Sequence, residues 1–225
     1  MPSSAASRVL LSLVLAGSML HAQPAYRQAN AELPAGLATL TASRTLWQGD
    51  ATARGVASLQ TQGFETIADG NPLTFGGVTM QLQSSSGGFS GLSNNDLITT
   101  EGIRVMSFVT TGATFVDFTF AQAINAFGVD ITSIDFTSTS GSFEDNLGNT
   151  RNLGFAPVFA GASFFGVTNA QAFTSVRLSF TGSEILNFDN LQWGRATVIP
   201  EPSTVALFAT GLIGLLGATR RRRRI

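Results

Sequence analysis

The 225-residue sequence contains no cysteine and no lysine, and its single histidine, His21, lies close to the N-terminus. The missing cysteines exclude stabilisation by disulfides. Beyond residue 21, Ser-His-Asp and Cys-His catalysis, Schiff-base chemistry and the usual His and Cys ligands of zinc, copper or haem are also excluded. Aspartate and glutamate are therefore the strong acid–base groups left for function.

Positive charge is scarce between the two ends of the chain. Six of the thirteen basic residues are Arg8 and the terminal arginines 220–224, so residues 23–198 carry seven arginines against thirteen acidic residues. This part of the chain has a net charge near −6. An acidic surface without a basic patch argues against nucleic acid as a partner. It fits an extracellular domain, or one that binds Ca²⁺.

Residues 1–22 have the pattern of a secretory signal peptide. Arg8 precedes an apolar run at residues 9–19, and Ala22 supplies a small residue at the expected cleavage site. A run of about 11 residues is too short to span a membrane as a stable helix. The alternative is an uncleaved N-terminal anchor. Either interpretation predicts that the middle of the chain leaves the cytoplasm.

The segment 198–225 combines a polar motif, an apolar run and a basic cluster. The run 204–219 has no charge and would be about 24 Å long as a helix, short of the ~30 Å hydrocarbon core. The cluster that follows would stay on the cytoplasmic side; it consists of Arg220, Arg221, Arg222, Arg223 and Arg224. Such a segment suits a temporary membrane stop better than a permanent anchor.

The tripeptide Pro200-Glu201-Pro202, followed by this helix and this arginine cluster, resembles the PEP-CTERM sorting signal of Gram-negative bacteria. The resemblance implies an exported protein that is held transiently in the inner membrane and cut near the motif by an exosortase-type enzyme. It further implies delivery to the cell surface or to an extracellular polysaccharide matrix. The alternative is an ordinary tail anchor flanked by arginines.

Between the two signals, residues 23–62 are predicted to form a leader with a short helix within 43–59, where Asp50 could cap a segment starting at Ala51. Residues 63–197 have the alternation of short strands. The predicted strands cover 64–67, 73–82 with a bend or bulge at the Gly76-Gly77 pair, 103–109, 116–120, 127–131 and 176–180, and the predicted hairpin turn lies within 141–151. This pattern predicts an all-β, antiparallel β-sandwich of jelly-roll type.

The last strand contains a break in its alternation. Leu186 and Phe188 share one parity, whereas Leu191 and Trp193 share the other. Because side chains alternate with a period of two, one strand can bury both pairs only with a shift in register. We therefore predict a β-bulge near Asp189 and Asn190.

The motifs GFETI at 63–67, AFGVDI at 126–131 and FDNL at 188–191 resemble the body of many PEP-CTERM proteins and carbohydrate-binding or galactose-binding-like jelly rolls. In such modules the Glu of an early FE motif and the Asp of a late DN motif often hold a structural Ca²⁺. The matching residues are Glu65 and Asp189. The other interpretation is that both carboxylates accept hydrogen bonds from the backbone.

Four other carboxylates could form a glycosidase-like pair, but surface charge is the expected role of each. They are Asp96, Glu101, Asp130 and Asp135, whereas the adjacent Glu144 and Asp145 are expected to be solvated in a turn. Trp47 and Trp193 are expected in the core rather than against a sugar ring. The sequence therefore favours a non-catalytic structural or binding domain. The alternatives are a carbohydrate- or Ca²⁺-dependent binding module and, more remotely, a carboxylate-based hydrolase.

Overall fold

The computed structural model describes residues 23–84, 90–94, 99–133, 140–156 and 160–197. The segments predicted as signal peptide and sorting signal lie outside these ranges. Within them the chain forms one helix and eleven strands: β1 (Ala25–Glu32), α1 (Leu37–Ala53), β2 (Gln60–Gln62), β3 (Leu73–Phe75), β4 (Val78–Ser84), β5 (Ser90–Asn94), β6 (Arg104–Thr111), β7 (Thr114–Ser133), β8 (Ser140–Asp145), β9 (Thr150–Leu153), β10 (Gly161–Thr181) and β11 (Ser183–Gly194).

Two long strands, β7 and β10, organise these elements into two packed layers. They pair with each other along both halves, but their register shifts between Thr168 and Ser175. The early half of β10 and the late half of β7 join β1, β11, β6 and β5 in one layer, which we call the helix-side sheet. The other halves join β9, β8, β4 and β3 in the second layer, which we call the open sheet. All the pairings are antiparallel, as the sequence predicts.

The core between the sheets is built largely from phenylalanine. Phe118 of the open sheet lies 5.2 Å from Phe127 and 5.7 Å from Phe188 of the helix-side sheet, measured between ring centroids. All three rings are fully buried. Burial of each contributes roughly 1.5–3 kcal/mol relative to an exposed ring. The alternating phenylalanines seen in the sequence thus hold the two layers together.

Helix α1 covers the outer face of the helix-side sheet. Its buried residues Leu40, Trp47 and Ala51 fall on one face of the helix. Trp47 lies over Gly128 and Gly166, which are paired in register, and its indole N–H donates to the carbonyl of Val167 at 3.1 Å. A Cβ at Gly166 would come within 2.5 Å of the indole ring, so the two glycines form the notch that holds it.

The structure corrects the predicted start of the helix. It begins at Leu37 rather than near Ser43, and Gly36 at its N-cap makes no side-chain cap hydrogen bond. Asp50 lies in the last turn and pairs with Arg27 at 2.7 Å, so its predicted capping role is wrong. The rest of the segment 23–62 also contributes to the sheet, since β1 pairs with β10 and β2 pairs with β11.

Two of the predicted strands are also wrong in detail. Residues 64–67 form a turn, in which Phe64 has a φ of +64°. Gly76 and Gly77, with φ of +52° and +78°, form a two-residue hairpin turn between β3 and β4, so the predicted single strand is two strands. The predicted strands 116–120 and 127–131 are parts of the continuous strand β7.

Other local predictions are confirmed. Strand β6 agrees with the predicted strand 103–109 to within two residues, and the β8–β9 hairpin turns at residues 146–149. The bulge in β11 is present as a register shift between Asp189 and Gln192, with Asn190 at a φ of +46°. In the part of the chain that the structure describes, no helix is both long enough and apolar enough to cross a membrane.

Candidate functional site: the exposed face of the open sheet

The open sheet presents one face to solvent, and polar side chains cover it. Alternation along β7 turns Val116 and Phe118 into the core, while Asp117 and Thr119 point outwards. The strand registers align the outward side chains in three rows across the sheet. The rows are Ser142–Ser179–Phe115–Gln83, Glu144–Arg177–Asp117–Gln81 and Ser175–Thr119–Thr79–Thr74.

The middle row is fixed by an ion pair between β7 and β10. Arg177 donates from Nε to Oδ1 of Asp117 at 2.7 Å and from Nη2 to Oδ2 at 2.9 Å. Gln83 donates to the same carboxylate at 3.1 Å, and the guanidinium lies 5.2 Å from the ring centre of Phe115. These hydrogen bonds with Asp117 raise the pKa of Arg177. The arrangement holds a flat guanidinium and a flat ring together on the surface.

A shallow groove of about 370 Å³ runs along this face beside the β8–β9 turn. Asn146, at its edge, accepts hydrogen bonds from the backbone N–H groups of Thr174 (2.7 Å) and Ser175 (3.1 Å). Asp145 accepts the N–H groups of Leu147 and Asn149 at 2.9 and 3.0 Å, so this carboxylate supports the turn. Glu144 lines the groove next to Arg177. The face therefore offers hydroxyl, amide, carboxylate and guanidinium groups side by side.

A second polar cluster lies on the other layer, beneath α1. Asp130 of β7 and Asp189 of β11 are paired in register, and both are fully buried. Arg44 of α1 forms an ion pair with Asp130. Thr100 Oγ1 lies 2.6 Å from Oδ2 of Asp130 and 3.1 Å from Oδ2 of Asp189. Because neither carboxylate is exposed, the pair cannot contact a substrate in this arrangement.

Burial is the main cause of the pKa shifts of these two acids. It raises the pKa of Asp189 to about 6, although the N–H groups of Thr100 (2.7 Å) and Glu101 (2.8 Å) donate to its Oδ2 and favour the ionised form. Burial also raises the pKa of Asp130, against the opposing effect of Arg44. The two carboxylates are thus stabilised by partners that the sequence did not indicate.

The predicted Ca²⁺ ligands come from separate segments and bind the two ends of the loop that precedes β6. Glu65 Oε1 accepts the N–H groups of Ile103 and Arg104, both at 2.8 Å, while Asp189 binds the backbone at Thr100 and Glu101. Both carboxylates are thereby hydrogen-bonded to the backbone, the alternative that the sequence left open. Ca²⁺ needs six to eight oxygens. In the described ranges no group of three or more His, Cys, Asp or Glu could hold a metal, and the Ca²⁺ site at Glu65 and Asp189 stays a prediction.

The other carboxylates of the sequence analysis are dispersed. Asp96 and Asp135 lie outside the described residues. Glu101 lines a cleft of about 320 Å³ beside α1, whereas Glu144 lies on the open sheet. Among the described acids, Asp130 is paired in register with Asp189, and the backbone N–H of Glu101 donates to the same Asp189 carboxylate.

Both tryptophans are buried, as the sequence predicts. Trp47 packs under α1, and Trp193 is 5% exposed with its ring centre 6.1 Å from that of Phe75. The open face carries Phe115 as its aromatic residue among the described rows. Sequence analysis missed this face because alternation shows which residues point outwards but not which strands are neighbours.

Comparison with known proteins identifies the C-terminal segment. A family model described as the PEP-CTERM protein-sorting motif matches residues 198–224. The chain carries this sorting motif. The match includes Pro200-Glu201-Pro202 and the arginine cluster and confirms the resemblance seen in the sequence. It indicates export and membrane-associated sorting toward the cell surface.

Solved structures provide distant likenesses to the β-sandwich. The K2 cleaved adhesin domain of Lys-gingipain is 10% identical, with a TM-score of 0.41, over 60% of this chain and 99% of that one. A family 29 carbohydrate-binding module, CBM29-2, is 11% identical, with a TM-score of 0.37, over 64% of this chain and 99% of that one. Likeness at this level says nothing about what the chain binds. No curated protein matches the sequence.

Proposed function

We propose that the protein is a non-catalytic surface protein whose open sheet binds a neutral polysaccharide. The sorting motif supports its export and display. The observation that carries the binding proposal is the set of three aligned rows of hydrogen-bonding side chains on an uncovered sheet face. The setting that the sorting motif favours is the extracellular polysaccharide matrix of a Gram-negative bacterium.

The chemistry of the rows favours a polymer rich in hydroxyl groups. A sugar hydroxyl both donates and accepts, and the face offers amide, hydroxyl and carboxylate partners for both roles. Strands lie about 4.8 Å apart, so a row across four strands spans roughly 14 Å and presents a repeated pattern to a long ligand. The middle row carries Asp117 and Glu144 against Arg177, which disfavours a polyanion.

The structure also supports a non-catalytic role for this domain. Among the acids that the structure describes, Asp130 and Asp189 are paired in register, and both are fully buried. On the open face, Asp117 is held by Arg177 and Gln83. A pair of free carboxyls on either side of a scissile bond, as glycoside hydrolysis needs, is not found among the described residues of this face.

Affinity electrophoresis tests the binding proposal. The full-length protein, in a non-glycosidic detergent, is run through native gels containing a neutral glucan, a neutral mannan or an acidic polysaccharide. We expect retardation by a neutral polymer and a loss of affinity of about tenfold in Arg177→Gln, because a charge-assisted hydrogen bond contributes about 1.5–3 kcal/mol. An unretarded protein in all gels would refute binding and leave the structural or adhesive interpretation.

The chain provides a matched control for this variant. Arg27 forms the same two-bonded ion pair with Asp50, and the side-chain exposures are 43% and 28% there against 45% and 22% for Arg177 and Asp117. Arg27→Gln should leave retardation unchanged. An equal loss in both variants would show that the effect is general and not specific to the open face.

The Ca²⁺ prediction and the processing prediction have their own tests. Retardation that disappears with EDTA and returns with added Ca²⁺ would support a role for the ion despite the backbone contacts of Glu65 and Asp189. For processing by an exosortase-type enzyme, we expect the mass of the protein recovered from cells to correspond to a chain from near Gln23 to near Pro200. A recovered chain that retains Arg220–Arg224 in the inner membrane would instead identify a tail anchor.

A further inference from the structure

The ends of the described chain meet at one end of the sandwich. Arg54, just after α1, donates from Nη2 to the carbonyl of Gln23 at 3.0 Å. The neighbouring Gly55 accepts the N–H of Thr197, also at 3.0 Å. Residues 1–22 and 198–225 therefore continue from points that are anchored to adjacent residues. Both predicted membrane-targeting segments leave the body at the same place.

We call this end of the sandwich the terminal pole. It comprises the segments 55–58 and 195–197 and the parts of β7 at 122–125 and of β10 at 169–174 where the pairing register of the two strands shifts. Asn125 joins these parts, because its side chain donates to the carbonyls of Asn169 and Ala170 at 3.0 and 3.1 Å and accepts the N–H of Ala196 at 3.0 Å. Val56 and Ala196 add a β-bridge. The C-terminal strand is thus fixed to the body as far as Thr197.

Little chain remains between this anchor and the predicted membrane segment. Thr197 is followed after seven residues by Thr204, where the apolar run begins. Seven residues span at most about 25 Å when fully extended. The sandwich itself is longer, since the chain extends for about 35 Å from Ala113 along β7 to the register shift at Ile124. A body held on such a short connection cannot present its far end to the membrane.

The charges of the terminal pole are suited to anionic headgroups. Arg195 is exposed and Arg54 is half-buried, and neither belongs to an ion pair within the described residues. Arg195 donates to Gln122, which keeps the guanidinium at the pole. The acidic residue nearest to Arg54 in the helix, Asp50, is neutralised by Arg27. The open sheet face lies on the flank of the sandwich, and its row Ser175–Thr119–Thr79–Thr74 borders this pole, since Asn146 at the edge of the groove accepts the N–H of Thr174.

We infer that the terminal pole is the membrane-facing surface of the sorting intermediate and contacts anionic phospholipid headgroups. The inference rests on the export and membrane insertion of the proposed function. The row Ser142–Ser179–Phe115–Gln83, at the other end of the open sheet, then stays free for a ligand before the chain is cut. The processing enzyme has to act on the short segment between Thr197 and the membrane, directly beside a folded body.

Single-cysteine labelling tests this orientation, because the natural chain has no cysteine to remove. Ala57→Cys places a fluorophore at the terminal pole, and Ala113→Cys places one at the opposite end. Both are exposed alanines outside the strands. The full-length variants are inserted into vesicles of phosphatidylethanolamine and phosphatidylglycerol, some of whose headgroups carry a quencher. We expect several-fold stronger quenching at residue 57 than at residue 113.

A second measurement distinguishes a failure of the proposed orientation from a failure of membrane insertion, on which the orientation rests. Vesicle flotation shows whether the chain is in the membrane. A chain that does not float refutes the membrane intermediate and this orientation together. A chain that floats but is quenched equally at both sites, or more at residue 113, refutes the orientation alone. Circular dichroism of each variant before insertion confirms that the label has not unfolded the sandwich.

Discussion

The ion pair between Arg44 and Asp130 gives the sharpest test of how the covered face is stabilised. Arg44→Met keeps the length of the side chain but removes the guanidinium. Asp130 is fully buried, and its Oδ1 has no hydrogen-bond partner within the described residues. Its Oδ2 would keep the hydroxyl of Thr100 as its one close partner. Loss of one partner of a buried pair destabilises a protein by about 3–5 kcal/mol.

Protonation of Asp130 sets an upper limit to this loss. In the variant the buried carboxyl can become neutral by taking up a proton. Neutralising an acid with an ordinary pKa of 3.8 at pH 7 requires about 4 kcal/mol, at about 1.36 kcal/mol per pH unit. At pH 5 the same step requires less than about 2 kcal/mol. The destabilisation should therefore be at most about 4 kcal/mol at pH 7 and at most about 2 kcal/mol at pH 5.

Urea unfolding of the full-length protein at both pH values measures these losses. Trp47 lies one helical turn after Arg44, so tryptophan fluorescence should report the transition. With an m-value of about 2–3 kcal/mol per molar urea, the midpoint should fall by up to about 1.3–2 M at pH 7. All values are differences from the natural protein at the same pH. This comparison removes the titration of groups that the substitution leaves alone.

Two further variants make the reasoning refutable. Arg27→Met breaks the exposed pair with Asp50 and should lose no more than about 1 kcal/mol at either pH. The double variant Arg44→Met with Asp130→Asn should lose the pH dependence, because no ionisable group remains in the pair. A loss below about 1 kcal/mol at pH 7 for Arg44→Met, or equal losses at both pH values, would show that Asp130 is not held as we describe.

Two other sites give simpler predictions. Burial raises the pKa of Asp189 in the folded state to about 6, so its favourable contribution to the free energy of unfolding is complete below its ordinary pKa of 3.8 and is lost as the pH rises through 6. Asp189→Asn should remove about 3 kcal/mol of this pH dependence, measured by urea unfolding over a pH series. An unchanged dependence would contradict the shift. Gly166→Ala should destabilise the protein by about 1–3 kcal/mol, because the new Cβ would clash with Trp47. Gly49→Ala should instead stabilise helix α1 by about 0.5–1 kcal/mol, because no atom lies within 4 Å of the new Cβ. Thermal unfolding checks this opposite pair, and a loss in both would show that the notch beneath Trp47 is not specific.

The bulge in β11 shows what the sequence could predict about the site. Leu186 and Phe188 have one parity and Leu191 and Trp193 the other, yet all four are buried. A strict period of two permits this only with an extra residue, and the structure has that irregularity between Asp189 and Gln192. The prediction succeeded because it depended on local chain geometry alone.

The limits of α1 and β1 could not be predicted in the same way. The helix buries Leu40, Trp47 and Ala51, but small and polar residues separate them, so its apolar face is narrow. Strand β1 has the sequence AYRQANAE and carries little apolar signal. The helix forms where it packs on the sheet and β1 forms where it pairs with β10, so contacts between distant segments outweigh local secondary-structure preference.

The ion pairs depend on strand register and lie far apart in sequence. Asp117 and Arg177 are 60 residues apart, and Arg44 and Asp130 are 86 apart. Taken alone, Asp117 or Asp130 is an ordinary polar residue in an alternating strand. Because register joins specific residues of non-adjacent strands, neither pairing could be deduced from one sequence.

The two outer faces of the sandwich show why alternation alone could not locate the exposed polar face. Asp117 and Asp130 both belong to β7, and both point away from the core between the sheets. Helix α1 covers Asp130, which is fully buried, whereas nothing in the described chain covers Asp117 and its neighbours. The same outward acid is a buried structural charge on one sheet and an exposed hydrogen-bonding group on the other. The open sheet is therefore the face where polar groups remain available to a ligand.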